Sequence, residues 1–363
     1  MQLQRKYYTM KQTDIQQMAA RLKNFRLDTP VRIMEVCGTH TTEFFKTGVK
    51  KLFPENLSLI SGPGCPVCVT PNAYIDRILE IGKVHRPIFA TFGDMINIPA
   101  SYSSLKKEKA EGLDVEIVYS PMVALDIAEK NPDREVVFLS VGFETTVPTE
   151  ALTILEAKER NLKNFSLSPG NKLTPPAVKA LLDSGETRID GFILPGHVSA
   201  IIGVRGWRFI SEQYGMPCVV AGFEGHDLVA ASLLMAQLIK TGKADILNAY
   251  TRVVKENGNE RAREVMDRVF RTGDAEWRGI GVIPESACII RDEYADFDAF
   301  RKFPVTPPEP KEPKGCRCGE VLTGLISPME CGLFAKGCSP EHPIGPCMVS
   351  TEGSCAAYYK YGR

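Results

Sequence analysis

The sequence has no surplus of charge of either sign: 44 Lys plus Arg stand against 44 Asp plus Glu in 363 residues. A broad electrostatic grip on nucleic acid or on an anionic membrane surface needs a basic excess or stripe, so both functions are argued against. No apolar run approaches the ~20 residues that a membrane-spanning helix requires. The opening residues, Met1–Gln17, lack the apolar stretch of a secretory signal. These absences predict a soluble, cytoplasmic protein whose partners are proteins rather than polyanions. The length corresponds to roughly two domains at ~150 residues each. Hydrophobic residues, at 44%, suffice for ordinary cores.

What the chain does have is cysteine, eleven in all. In a reducing cytosol a structural disulfide framework is not expected, and an odd number fits poorly with complete pairing. Cys37, Cys65, Cys68, Cys218 and Cys288 are spread over residues 1–315, whereas Cys316, Cys318, Cys331, Cys338, Cys347 and Cys355 crowd into the last 48 residues. That distribution points to more than one kind of cysteine chemistry. Cys218 and Cys288 lie in apolar surroundings and read as structural.

Residues 1–30 read as a polar helical lead-in. After them, short β-branched runs at Val31–Val36, Leu57–Ile60, Pro87–Phe92, Val115–Tyr119, Glu135–Val141, Gly191–Leu194 and Pro217–Ala221 alternate with helix-like stretches at Asn72–Lys83, Met122–Glu129, Glu150–Arg160, Pro176–Asp183 and Asp227–Lys240. Strand–helix alternation with nearly continuous apolar strands predicts an α/β fold with mostly parallel sheets. We expect two Rossmann-like α/β domains, 31–140 and 141–302, the second ending in a more helical and charged extension from 242. Residues 303–315 contain five prolines and read as a stiff, extended linker. The tail, 316–363, has few strand or helix signals, and so short a segment usually needs a metal or disulfides to order it. A short repeat, Gly142-Phe143-Glu144 and Gly222-Phe223-Glu224, follows two of the strands and hints at related halves.

The polar, glycine-bearing segments fall directly after predicted strands, where open α/β sheets bind ligands. They are Cys37-Gly38-Thr39-His40, Ser61–Cys68, Gly93-Asp94, Gly142–Thr146, Pro195–Ser199 and Gly222–Asp227. They predict one convergent site, or two facing sites across a cleft. Cys65-Pro66-Val67-Cys68 is the sharpest motif, since two cysteines at this spacing can close a redox-active disulfide. Thr70-Pro71 suits an N-cap and first helical position, and a helix start there would lower a thiol pKa. Half of a zinc site and two inert thiols are the competing readings. Cys37 reads as a reactive or metal-binding thiol with His40 as its imidazole neighbour, against a plain buried cysteine. His197 and Asp94 are candidate proton donors or orienting groups, with a hydrogen-bonding role at a strand end as the alternative. Glu144 and Glu224 carry the same ambiguity. In the tail, Cys318, Cys331, Cys338 and Cys355 are separated by 12, 6 and 16 residues. Four thiolates suit a [4Fe-4S] cluster, a structural zinc or a smaller iron–sulfur centre, and the wide spacing favours iron–sulfur. Cys316 and Cys347 are rival fourth ligands.

Taken together, Met34-Glu-Val-Cys-Gly-Thr-His40, Gly62-Pro-Gly-Cys-Pro-Val-Cys68, Gly142-Phe-Glu-Thr-Thr146, Pro195-Gly-His-Val-Ser199, Gly222-Phe-Glu224 and the tail segment Met348–Tyr359 resemble the HypD family of nickel–iron hydrogenase maturation factors. The resemblance runs from residue 34 almost to the C-terminus. It implies two α/β domains, a C-terminal [4Fe-4S] region and a complex with the small chaperone HypC. On that complex an iron atom acquires cyanide and carbon monoxide before delivery to the hydrogenase large subunit, the cyanide coming from HypE, which HypF supplies. Carried over by residue, Cys37 is the iron-ligating thiol shared with a HypC cysteine. Cys65 and Cys68 are the redox pair, His197 assists in the cleft, and Cys318, Cys331, Cys338 and Cys355 hold the cluster. The expected function is a maturation scaffold with redox activity rather than a conventional turnover enzyme. The alternative is a stand-alone thiol–disulfide oxidoreductase fed by its cluster.

Overall fold

A computed structural model describes residues 12–362. The α/β expectation holds: nine strands lie in two all-parallel sheets, and helices connect them. The strands are β1 (Val31–Glu35), β2 (Leu57–Ser61), β3 (Ile88–Thr91), β4 (Val115–Ile117), β5 (Val136–Ser140), β6 (Phe165–Pro169), β7 (Gly191–Pro195), β8 (Cys218–Ala221) and β9 (Ile246–Asn248). One sheet has the order β2-β1-β7-β8-β9 and the other β4-β3-β5-β6. All residues of β3, β5 and β8 are buried, as strands covered on both faces must be. The helical lead-in is present as the helix Gln12–Lys23, with residues 1–11 outside the described residues.

The division expected between residues 140 and 141 is not where the sheets part. It falls between β5 and β6, which pair in register from Val136↔Phe165 to Ser140↔Pro169. The chain builds β1 and β2, crosses to make all of the second sheet, and returns at β7, which pairs with β1 (Ile33↔Gly191 to Glu35↔Ile193). Parallel strands need crossovers in any case, so the neighbour of a strand need not be the next one in sequence. The repeat occurs once per sheet, after β5 and after β8.

Residues 242–302 also differ from the expected helical extension. They contain the helix Glu260–Val269, but also an antiparallel hairpin of β10 (Phe270–Trp277) and β11 (Gly281–Ile290). Its turn uses Gly279 and Gly281 at φ +73° and +101°, which glycine alone adopts freely. The proline-rich segment 303–315 runs extended and is pinned: Asn72 Nδ2 donates to Lys311 O at 2.7 Å and Lys311 N donates to Ser101 Oγ at 2.7 Å. Beyond it the tail forms the short helix Cys318–Leu322 and ends in the helix Ser354–Tyr361, which packs on the helix Gly38–Lys46. Cys218 and Cys288 are buried and their thiols are pushed up by burial, in keeping with a structural role.

Candidate functional site

A cleft of about 480 Å³ lies where the carboxyl ends of both sheets meet. Cys37 and Thr39 after β1, Gly64, Pro66 and Val67 after β2, and His197 after β7 line it from one sheet. Gly93 and Asp94 after β3, Tyr119 after β4, and Val141–Phe143 with Thr145 and Thr146 after β5 line it from the other. Ser350 and Glu352 of the tail close one side. Thus five of the six expected segments converge on one site. The exception is Gly222-Phe223-Glu224, which backs the wall: the Phe223 ring stacks on His197 at 3.8 Å between centroids.

Cys37 ends β1 and is the N-cap of the helix Gly38–Lys46. Its thiol is buried and pushed up to about 12, chiefly by desolvation, with Glu352 and Glu35 adding to the rise and the backbone amides of His40 and Thr39 opposing it. Two glycines set its surroundings. A Cβ on Gly64 would overlap the backbone of Cys37, and one on Gly38 would overlap Glu352 of the tail. Only glycine at these positions lets the three segments touch, and Gly38 N seals the first contact by donating to Gly64 O at 2.9 Å.

His40 does not activate Cys37. Its Nε2 lies 3.0 Å from Gly222 O, its buried Nδ1 has no partner among the described residues, and burial lowers its pKa to about 4, so the ring is neutral. His197 is on the cleft wall, and partial burial lowers its pKa. Across from it, Asp94 accepts from Ser350 Oγ at 2.9 Å.

Cys65 and Cys68 are joined as a disulfide, with 5.3 Å between their Cα atoms. Both are buried, at 3% and 0% exposure, beneath Pro66 and Val67, which face the cleft. Thr70 is not the expected cap. Its hydroxyl donates to Pro66 O at 2.9 Å, Pro71 is the N-cap, and the helix begins at Asn72. The turn holding the cysteines therefore lies outside that helix. On its inner side, Cys68 Sγ is 3.9 Å from the carbonyl oxygen of Pro346, next to Cys347.

The tail thiols lie within one another's electrostatic reach. Cys347 donates to Cys318, which lowers the Cys318 pKa and raises that of Cys347. Cys355 is raised by burial and by Cys318, Cys338, Cys316 and Cys331. Burial pushes Cys316 up to about 11. Among the described residues no three His, Cys, Asp or Glu side chains converge on one metal-ion position. A cubane does not ask for that, because its four thiolates bind different irons. An all-thiol donor set of this kind fits a [4Fe-4S] cluster.

Three further site residues were not evident from the sequence. Glu35, inside the apolar β1, accepts from Cys37 N at 3.0 Å and from the Thr41 hydroxyl, and burial raises its pKa to about 8. Its one clue was a carboxylate among buried strand positions. Glu352 accepts from Thr39 Oγ1 at 2.6 Å, and burial raises its pKa. Tyr119 stands 96% exposed on the rim. The two repeat glutamates turn out unlike each other. Glu144 is buried and accepts from Thr174 N at 2.8 Å, whereas Glu224 is largely exposed and caps the helix Gly225–Lys240 in a capping box with Asp227.

The fold and the cleft define a thiol-centred α/β protein, in which a lone cysteine, a buried disulfide and a cysteine-rich tail meet at the strand ends of two parallel sheets. Among such proteins the chain belongs to the HypD family of hydrogenase maturation factors. The family, described as "Hydrogenase formation hypA family", matches residues 12–362. The chain is 47% identical over 340 residues to the hydrogenase maturation factor HypD of Rhodobacter capsulatus, covering 92% of this chain and 90% of that protein. It is 44% identical over 339 residues to HypD of Escherichia coli K12, covering 93% and 91%. A putative hydrogenase expression/formation protein of Methanocaldococcus jannaschii is 39% identical over 333 residues, covering 92% of each. Among the described residues no helix is long and apolar enough to cross a membrane.

Proposed function

We propose that this hydrogenase maturation factor is the scaffold on which, together with HypC, an iron atom receives its cyanide and carbon monoxide ligands. The observation that carries the reading is the convergence of Cys37, the Cys65–Cys68 turn, Asp94 and His197 on one cleft with the tail across it. Cys37 anchors the iron, with a HypC cysteine as its second thiolate. Its raised pKa means that the proton leaves only as the metal arrives, since metal ligation deprotonates a thiol. The Thr39 and His40 amides then face the thiolate that forms.

Cys65 and Cys68 take up two electrons and two protons as their S–S bond opens to two thiols. Cys318, Cys331, Cys338 and Cys355, with Cys316 and Cys347 as alternates, would hold a [4Fe-4S] cluster, which would supply one-electron transfer from an external one-electron donor. Burial of both sulfurs supports this internal route over exchange with a protein disulfide, because thiols that exchange with outside partners need exposure. His197 and Asp94 face the cleft from the two sheets and orient what binds between them. HypE, charged by HypF, brings the cyanide, and the hydrogenase large subunit takes the finished group. The protein works in the cytoplasm, where its free thiols stay reduced.

Infrared spectroscopy of the anaerobically purified complex with HypC tests this. Bands of iron-bound cyanide and carbon monoxide are expected in the wild type and not in Cys37→Ala. Unchanged bands in that variant remove Cys37 as the anchor.

A further inference from the structure

The turn between β10 and β11 carries a buried guanidinium that none of these steps uses. Arg278 is 2% exposed, and a buried charge is tolerated only when it is paired and hydrogen-bonded. Its carboxylate partner is Glu312 of the proline-rich segment, which accepts from Nε at 3.1 Å and from Nη2 at 2.9 Å. That partner is itself 62% exposed, so water weakens the compensation it offers. Nη1 is buried and has no partner among the described residues.

Arg278 lies between two thiol groups. Its backbone N–H donates to Val69 O at 2.9 Å, the residue after Cys68. The next residue, Gly279, is pressed on Gly319 so closely that a Cβ on either would overlap the other's backbone. Gly319 directly follows Cys318, so this contact sets the Arg278 turn beside the first cysteines of the tail. Arg278 is therefore fixed between the disulfide turn and the first cysteines of the tail.

We propose that Arg278 is the counter-cation of the tail cysteine centre, a positioning residue whose charge sets that centre's reduction potential against the Cys65–Cys68 disulfide. The proposal rests on the iron–sulfur reading above. Each electron added to a thiolate-ligated cluster adds negative charge, and a cation in a low-dielectric site favours the more reduced state. Net charge and hydrogen bonds to sulfur are the levers by which a protein tunes such a potential. Arg278 supplies the charge, and its Nη1 is an unspent donor. The exposed Glu312 works in the opposite direction, so the proline-rich segment belongs to the device.

The test is a redox titration, followed by electron paramagnetic resonance, of the full chain reconstituted anaerobically with iron and sulfide. Arg278→Gln is expected to shift the midpoint to more negative potential, Arg278→Lys to keep most of the wild-type value, and Glu312→Gln to shift it slightly to more positive potential. An unchanged midpoint in Arg278→Gln overturns the proposal, as does Arg278→Lys falling as far as Arg278→Gln. If Arg278→Gln holds no cluster, Arg278→Lys decides: a cluster near the wild-type potential supports the proposal, and loss of the cluster there too overturns it in favour of a structural role. A wild-type chain that takes up no iron and sulfide overturns the iron–sulfur reading and this proposal together. A cluster whose potential ignores Arg278 overturns this proposal alone.

Discussion

The cleft has two walls that place cysteines by different means, one made of strand ends and the other of the tail. On the strand-end wall the backbone before Cys37 is held on both sides: β1 pairs with β2 through Glu35↔Ser61 and with β7 through Glu35↔Ile193. The loop that carries Cys65 and Cys68 is tied down at its start, where Gly62 N donates to Glu35 O at 2.8 Å. Among the described residues the tail has no sheet. Between 316 and 353 its regular structure is one five-residue helix and two three-residue turns of 3-10 helix. It is positioned by side chains of the other wall: Thr42 Oγ1 donates to Thr351 O at 3.0 Å, Thr39 Oγ1 to Glu352 at 2.6 Å, and Lys50 Nζ to Tyr358 OH at 2.8 Å. The difference teaches a direction of dependence. The strand-end cysteines are therefore expected to keep their places without the tail, and the tail cysteines to lose theirs without the wall.

The largest effect tests whether that dependence runs one way. Cys37→Ala, Cys65→Ala and Cys68→Ala are each expected to abolish hydrogenase maturation in cells while the two sheets still unfold cooperatively near the wild-type temperature. Cys318→Ala is expected to abolish maturation too, and also to speed amide hydrogen exchange over 316–353, with β1–β9 unaffected. Normal maturation in all three strand-end variants means that the site is misassigned. Fast exchange in the sheets of Cys318→Ala means that the walls are not separable.

An intermediate effect comes from the two glycines beside Cys37. A Cβ at Gly64 meets backbone of the strand-end wall itself, and overpacking of this kind typically costs about 1–3 kcal/mol. Gly64→Ala is therefore expected to lower the denaturation midpoint of the whole chain. At Gly38 the same methyl meets the backbone and Cβ of Glu352. Gly38→Ala should leave the global midpoint close to wild type and release the tail, seen as faster exchange at 350–361. If the two variants cannot be told apart by exchange, the tail is part of the same cooperative unit as the sheets.

The same contrast explains what was legible in the sequence. The seven apolar runs became strands, because buried parallel strands are written as continuous β-branched segments. Three features hid others. β6, Phe165-Ser-Leu-Ser-Pro169, buries Ser166 and Ser168 completely, and Tyr74 OH lies 2.7 Å from Ser168 Oγ, so a core strand reads as polar. β9 is a three-residue edge. β10 carries Arg271, Asp274 and Glu276 on a half-exposed hairpin and reads as a charged helix. At the site, the rule that ligands bind at strand ends located the loops. The direction of His40 and the burial of Glu35 were not readable, because both depend on β7 pairing with β1, and β8 with β7, from far along the chain. The clustering of the tail cysteines was legible, and the contact of Pro346, beside Cys347, with the disulfide turn was not.

The smallest effect sharpens the comparison within the strand-end wall, by asking how far buried carboxyls rather than sheet pairing hold it. Glu144 joins the loop after β5 to the helix Thr174–Ser184 through Thr174 N and Oγ1. Burial raises its pKa to about 7 from the usual carboxylate value of 4.5. The folded chain thus holds this proton more tightly than the unfolded chain. The contribution is complete below pH 4.5 and is lost as pH rises through about 7. Glu144→Gln, uncharged at every pH, should match the wild type at pH 5 and exceed it at pH 8.5, by on the order of 1–3 kcal/mol. Glu224, in the matching tripeptide, caps its helix and lies within ion-pair distance of His226 and Arg252 at an exposed site, and Glu224→Ala should cost roughly 0.5–1 kcal/mol. Urea denaturation of both variants at the two pH values measures the difference. A Glu144→Gln curve parallel to wild type at both would mean that this carboxyl is ionised and solvated after all, and that the wall owes its order to the sheets alone.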